Sequence, residues 1–183
     1  MKLIVGLGNY GETYEKTRHN TAWHLFDTLD LTWHEQKKFQ SFIAESRQYN
    51  QKILYINPTT YYNDSGLAVH KIKEFYKVSG RDILIVHDEL ALPFGSVRTR
   101  YGGSDAGNNG VKSINVCIGT DTARLRIGID SEIRAKRDDA DFVLSRFSVR
   151  EQKELPRIFA TAQSLIEAFI QNDFPETTHT HSV

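Results

Sequence analysis

The spacing of apolar residues changes several times along the chain, and each change predicts an element. Residues 2–7 form a short apolar run that ends in glycines, the pattern of a buried strand. Residues 8–20 are polar and without period, so a loop is expected. Ala22, Trp23, Leu25, Phe26 and Leu29 then recur at helical spacing. Phe42, Ala44 and Ser46 alternate with Ile43, Glu45 and Arg47, and residues 53–56 are apolar. Two neighbouring strands follow, the second ended by Pro58.

Leu67, Val69, Ile72, Phe75 and Tyr76 predict an amphipathic helix, with Asp64 or Ser65 as its N-cap. Residues 83–86 are continuously apolar and rich in β-branched side chains, as in a central strand covered on both faces. Further strands are expected near residues 97–100 and 125–129. A glycine-rich stretch at 102–110 leads into a helix through Val111, Ile114 and Ile118. Ser148 and Glu151 have the spacing of a capping box, opening a helix that carries Leu155, Ile158, Phe159, Ala162, Leu165, Ile166, Phe169 and Ile170 on one side. Pro156 should kink that helix or delay its start. Strands alternating with helices predict one α/β domain over residues 1–172. Its sheet is expected to be twisted and mixed, mostly parallel, with helices on both faces. The polar residues 173–183 are expected to form a flexible tail.

Composition agrees with a globular core: 39% of the 183 residues are hydrophobic and 25% charged, with 10 Phe, 8 Tyr and 2 Trp. Cys117 is the one cysteine, so no internal disulfide can form, which fits a reducing compartment. The opening apolar run is too short for a signal-peptide core, and no later run reaches the ~20 residues of a membrane span. A cytoplasmic protein is expected. Formal net charge is zero, which argues against a strongly basic nucleic-acid binder. The charge is nevertheless uneven: residues 96–150 hold 10 basic and 7 acidic side chains, and residues 151–183 hold 2 and 5.

Gly6-Leu7-Gly8-Asn9-Tyr10-Gly11 matches the dinucleotide-binding G-x-G-x-x-G and follows a strand. A Rossmann turn, however, opens directly into a helix, and residues 12–19 have no apolar stripe with which to pack one. A more productive pair is His19, at the end of the polar loop, and Asp88, at the carboxyl end of the best central strand. If the loop folds over the strand tips, Asp88 can accept a proton from one ring nitrogen while the other takes a proton from water. This is a triad without its serine. Cys117 lies in a predicted helix among apolar residues, a packed rather than reactive setting. The chain contains no G-x-S-x-G, and no Cys/His cluster has metal-ligand spacing. Asn9, Asn20, Asn63, Asn108 and Asn109 all sit where loops meet elements. Each is an ordinary turn or cap residue, yet together such amides suit a neutral, amide-rich substrate.

These residues resemble bacterial peptidyl-tRNA hydrolases, in the family's order and over most of the chain. Leu3-Ile4-Val5-Gly6-Leu7-Gly8-Asn9, followed by Tyr14, Thr17, Arg18, His19 and Asn20, resembles the opening signature. Residues 58–66, His87-Asp88-Glu89-Leu90 with Leu92-Pro93, and residues 107–114 resemble three more. Residues 124–129 and Phe142-Val143-Leu144 complete the set. The resemblance implies a peptidyl-tRNA hydrolase-like fold and an esterase acting on the peptide–tRNA bond, as a monomer and without metal or cofactor. His19 would be the general base, oriented by Asp88, and Asn63 would position water or stabilise the oxyanion. Asn9 and Asn109 would hold the peptide, Tyr62 would bound its pocket, and Tyr14 would shape the tRNA end. Arg100, Lys112 and Arg126 would grip tRNA phosphates, and all three fall in the basic stretch. Tyr10, Tyr62, Ala91, Phe94 and Asn108 depart from the pattern, standing for proline, methionine, an acidic residue, proline and histidine. Two other functions compete: a non-catalytic RNA-binding relative resembling organellar splicing factors, and a nucleotide-binding domain resting on residues 6–11.

Overall fold

The fold is described from a computed structural model covering residues 1–136 and 138–183. Strands β1 (Lys2–Gly6), β4 (Gln51–Pro58), β5 (Ile83–Pro93) and β7 (Ala123–Asp130) lie side by side in parallel and form the centre of an eight-stranded sheet. The full order is β2-β3-β4-β1-β5-β7-β6-β8. The flanks are antiparallel. β2 (Trp33–Gln36) and β3 (Ser41–Gln48) extend one side, and β6 (Ser96–Tyr101) and β8 (Thr178–Thr180) the other. The sheet is therefore mixed, and its parallel part is confined to the centre. Short connections between β3 and β4 and between β5 and β6 leave room only for antiparallel return.

Helices cover both faces, and alternate residues of the central strands serve the two sides. Ile4, Leu84, Val86, Leu125 and Ile127 pack with α1 (Thr21–Asp27) and α5 (Val149–Ile170) through Leu25, Phe26, Ile158, Phe159 and Phe169. Leu3, Val5, Ile83 and Ile85 pack with α2 (Ser65–Tyr76) and α3 (Asn109–Ile118) through Val69, Ile72, Val111 and Ile114. A fifth, short helix, α4 (Asp139–Val143), precedes α5. Among the described residues no helix is long and apolar enough to cross a membrane.

Several expectations meet a different outcome. The capping box at Ser148 and Glu151 is formed, and α5 starts there, so of the two alternatives expected for Pro156 the delayed start does not occur. Pro156 lies on the exposed side of the helix, where solvent can satisfy the carbonyl that its missing N–H leaves free. α2 turns Ala68, Val69 and Ile72 inward and leaves Leu67 and Phe75 exposed, so its buried stripe is narrower than the apolar positions suggested. Polarity predicted a free tail, yet Thr178–Thr180 add an edge strand to β6 and Phe174 is buried against Tyr101 and Phe169. Backbone pairing ignores side-chain polarity, and one aromatic ring suffices as an anchor.

The glycines of the G-x-G pattern serve packing. A Cβ on Gly8 would come within 2.7 Å of the Trp23 indole, whose Nε1 donates to the Gly6 carbonyl at 2.9 Å. Residues 11–16 form turns, and no helix opens at the end of β1 as dinucleotide binding would require.

Candidate functional site

β1 ends at Gly6, paired with Val86, while β5 runs on to Pro93. Asp88 therefore stands inside a strand, not beyond it, at the level where β5 has lost its neighbour on one side. The chain leaving β1 crosses this step, and the Leu7 amide donates to the Val86 carbonyl at 2.9 Å. The loop is then closed by a side chain that imitates a strand. Asn20, fully buried, accepts from the Asn9 N–H and donates to the Asn9 carbonyl, both at 2.9 Å.

This closure brings His19 to Asp88. Its Nδ1 lies 2.9 Å from Asp88 Oδ2. A carboxylate can only accept, so Nδ1 carries the hydrogen and Nε2 keeps its lone pair. Nε2 has no hydrogen-bond partner among the described residues, while Asp88 is 2% exposed and His19 opens to a cleft.

Beneath the pair, the Tyr62 ring stacks on the imidazole with centroids 3.7 Å apart and planes at 24°. Its hydroxyl donates to Asp88 Oδ1 at 2.8 Å and accepts from Asn108 Nδ2 at 2.9 Å. Burial, and then the charge of Asp88, push the Tyr62 phenol well above its ordinary range, so it stays a donor. Tyr62 and Asn108, both singled out in the sequence, are bonded to each other. His87, beside Asp88, is buried; burial lowers it to about 4 and keeps it neutral, with its Nδ1 on the Asp88 carbonyl at 2.7 Å.

The cleft has a volume of about 620 Å³. His19, Tyr62 and Asp88 form its base, and Asn9, Asn63, Asn108 and Asn109 supply amides. Asn9 Oδ1 accepts from the Tyr62 N–H at 3.2 Å, which leaves the Asn9 amide hydrogens available. The side chains of Asn63 and Asn109 make no hydrogen bond among the described residues, and both residues are exposed. The far wall is Arg134 with Asp139, Ala140, Val143 and Leu144, a segment to which no role was given in the sequence.

Other predicted residues lie outside this cleft. Tyr14 lines a neighbouring depression that shares Asn9 and Tyr61 with it. Lys112 lies on α3, exposed, in a hollow bounded by Asn63 and Asn109. Arg100 and Arg126 lie further along the sheet. Cross-strand register puts Arg98 opposite Arg126 and Arg100 opposite Arg124, so four guanidinium groups rise from one face. Arg126 lies 3.8 Å from Glu89, and Arg100 donates to the Thr99 carbonyl at 2.7 Å. Arg124 is buried, spanning the Ser104 carbonyl and Asn115, and its burial lowers it to about 10.

The residue that sequence reasoning passed over is Arg18. It is 0% exposed and donates through both terminal nitrogens to Glu151, at 2.8 and 2.7 Å, while Phe142 and Phe147 face its guanidinium carbon at 4.6 and 4.8 Å. Glu151 is also the capping residue of α5. The capping spacing was visible in the sequence, but nothing local pointed to a guanidinium 133 positions away.

A family model described as Peptidyl-tRNA hydrolase matches residues 3–182. The peptidyl-tRNA hydrolase of Aliarcobacter butzleri is 44% identical over 180 residues, covering 96% of each chain. That of Lactobacillus delbrueckii subsp. bulgaricus is 39% identical over 93% of each chain. The solved structure of peptidyl-tRNA hydrolase from Acinetobacter baumannii superposes with a TM-score of 0.84 at 33% identity, covering 94% of this chain and 89% of that one.

Proposed function

The chain belongs to the peptidyl-tRNA hydrolase family, hydrolases that release the peptide from peptidyl-tRNA, and on that premise we propose that His19 and Asp88 perform the reaction as a general-base pair. The observation that carries this is the 2.9 Å contact between His19 Nδ1 and Asp88, with Nε2 unbonded in a cleft walled by amides.

Nε2 takes a proton from water as the water oxygen attacks the ester carbonyl carbon. Asp88 stabilises the imidazolium that forms. The oxyanion of the tetrahedral intermediate lies toward the Asn63 amide, whose donors are not engaged elsewhere. Collapse breaks the bond to the ribose oxygen, which takes the proton back from Nε2. The products are a tRNA with a free hydroxyl and a peptide carboxylic acid, which loses its proton to solvent and leaves as the carboxylate. Asn9 and Asn109 hold the peptide backbone, and Tyr14 borders the tRNA end. Lys112, Arg100 and Arg126 meet tRNA phosphates, contacts that give affinity without reading sequence. An ester to ribose is activated enough for general-base catalysis, typically ~10²–10⁴-fold, and no metal or cofactor enters these steps. We place the enzyme in the cytoplasm, where translation produces its substrate, and as a monomer, because one chain supplies every group used.

Purified protein should release free tRNA from N-acetyl-aminoacyl-tRNA without added metal, and His19→Ala should abolish release. Wild-type protein that binds tRNA but releases none would favour the non-catalytic RNA-binding alternative.

A further inference from the structure

Asp88 has two carboxylate oxygens, and the base uses only one. Oδ2 accepts from His19, while Oδ1 accepts from the Tyr62 hydroxyl at 2.8 Å. We infer that Tyr62 is a positioning residue for the dyad: its hydroxyl fixes the orientation of the Asp88 carboxylate and its ring fixes that of the His19 imidazole. This inference rests on the general-base reading above.

Two constraints, a helix cap at one end and an accept-only carboxylate at the other, give every hydrogen in the network one direction. Asn108 Oδ1 accepts from the Val111 N–H at 3.0 Å, capping α3. With its oxygen so engaged, the amide must present Nδ2 to Tyr62, at 2.9 Å. The Tyr62 oxygen, accepting there, turns its own hydrogen to Asp88. Asp88, held at Oδ1, offers Oδ2 to His19 Nδ1–H, which leaves the lone pair on Nε2. The carboxylate, which can only accept, sets the tautomer of the base, and the helix cap steadies the Tyr62 hydroxyl that orients that carboxylate.

The ring is itself held. Its backbone N–H donates to Asn9 Oδ1 at 3.2 Å. A Cβ on Gly110 would come 2.5 Å from Tyr62 Cε1, so α3 has no side chain where the ring lies against it. Tyr62 is 3% exposed, which makes it the base of the cleft more than a wall that substrate slides along.

A donor on Oδ1 also shares the negative charge of Asp88 and moderates its pull on an imidazolium. The other charged groups around the pair have partners, are neutral or lie in solvent. On β5, His87 is neutral and Glu89 faces Arg126 of β7, beside Arg124. Across the cleft Arg134 is paired with Asp139 at 2.8 Å and with Asp130 at 3.3 Å. Asp64, on the same short turn as Tyr62, is exposed, and Arg18 is taken by Glu151. Removing the Tyr62 hydroxyl alters none of these.

The test is Tyr62→Phe, which keeps the stacked ring, assayed on N-acetyl-aminoacyl-tRNA across pH. The expected result is a fall in kcat of about tenfold, the scale of one hydrogen bond to a charged group, with KM within about twofold. The acidic limb of the kcat/KM profile should move to higher pH, because an unshared carboxylate holds the imidazolium more strongly. Asn108→Ser retains a helix cap but loses the amide donor. It should give the same changes at about a third of the size, and the double variant should match Tyr62→Phe alone. If Tyr62→Phe does not fold, Asn108→Ser alone decides by the same limb shift.

Wild-type kcat and an unmoved acidic limb would overturn the inference, as would a change confined to KM, which would make Tyr62 a peptide-pocket residue. His19→Ala separates the two levels. An inactive His19→Ala beside an unaltered Tyr62→Phe rejects only the positioning role. A fully active His19→Ala, or an inert wild type, removes the general-base reading and the positioning role with it.

Discussion

Arg18 and His19 are adjacent in the chain, and each side chain ends on a carboxylate. Arg18 meets Glu151 through two parallel bonds, sealed by Phe142 and Phe147 with no exposure to solvent. His19 meets Asp88 through one bond, and its second nitrogen has no partner among the described residues, at the base of a cleft. The first pair satisfies every strong group it contains and can do nothing further. The second is left one bond short among the described residues, and in the general-base reading proposed above that nitrogen takes the proton. The closed pair also serves the open one. It ties the loop to the start of α5, helped by the Arg18 N–H bond to the Ser145 carbonyl at 2.9 Å, and so delivers the neighbouring imidazole to the step in the sheet.

The sharpest way to separate the two pairs is to delete the nitrogen-bearing side chain of each in turn. His19→Ala should lower turnover by up to about 10⁴-fold, equivalent to about 5 kcal/mol of barrier, while its thermal midpoint stays within a few degrees of wild type. Arg18→Ala should do the reverse. It strands a buried carboxylate, which costs about 3–5 kcal/mol of unfolding free energy in urea, while protein that remains folded still turns over. A stable Arg18→Ala would mean that the closed pair holds nothing.

A smaller effect contrasts the acid responses of the two regions. His87, behind the open pair, is lowered to about 4 by burial, against 6.5 in the unfolded chain. As pH falls from about 6.5 to 4 the unfolded chain takes up the proton first, so stability is lost across that window by about 3 kcal/mol. Burial raises Glu151, but hydrogen bonds from Arg18 and Ser148 outweigh it and lower the group overall. Its stability is present above 4.5 and is lost only as pH falls further. Urea unfolding at a series of pH values should therefore show two acid phases, and His87→Gln should remove the upper one. A single phase below pH 4.5 in wild type would contradict the neutral, buried His87.

The smallest effect belongs to the cleft's outer rim. Lys112→Ala should raise KM severalfold, leave kcat unchanged and reduce the salt dependence of KM by about one ion. An altered kcat would move Lys112 from the rim toward the chemistry.

Much of this was legible beforehand. The central strands announced themselves because residues buried on both faces must be continuously apolar, as at Ile83 to Val86. The helix opening at Ser148 was visible because capping is local. The outer strands were not. Trp33–Gln36 and Thr178–Thr180 are largely exposed, and their register comes from the backbone of a neighbour, which leaves no mark on side-chain polarity. The helical face of α2 was blurred for a related reason, since Leu67 and Phe75 are apolar yet more than half exposed, Phe75 meeting Phe39 only edge-on.

The linear order of residues determined the alternation of elements and the family, and it singled out His19 and Asp88 as the proposed base and carboxylate, because these depend on motifs each contained in one segment. Only the folded chain decided which groups meet across it. It set Arg18 against Glu151, Asn20 across Asn9, and Tyr62 between Asn108 and Asp88. Such contacts join segments that share no local pattern, and their strength comes from burial, which belongs to the whole packed sheet and not to any stretch of it.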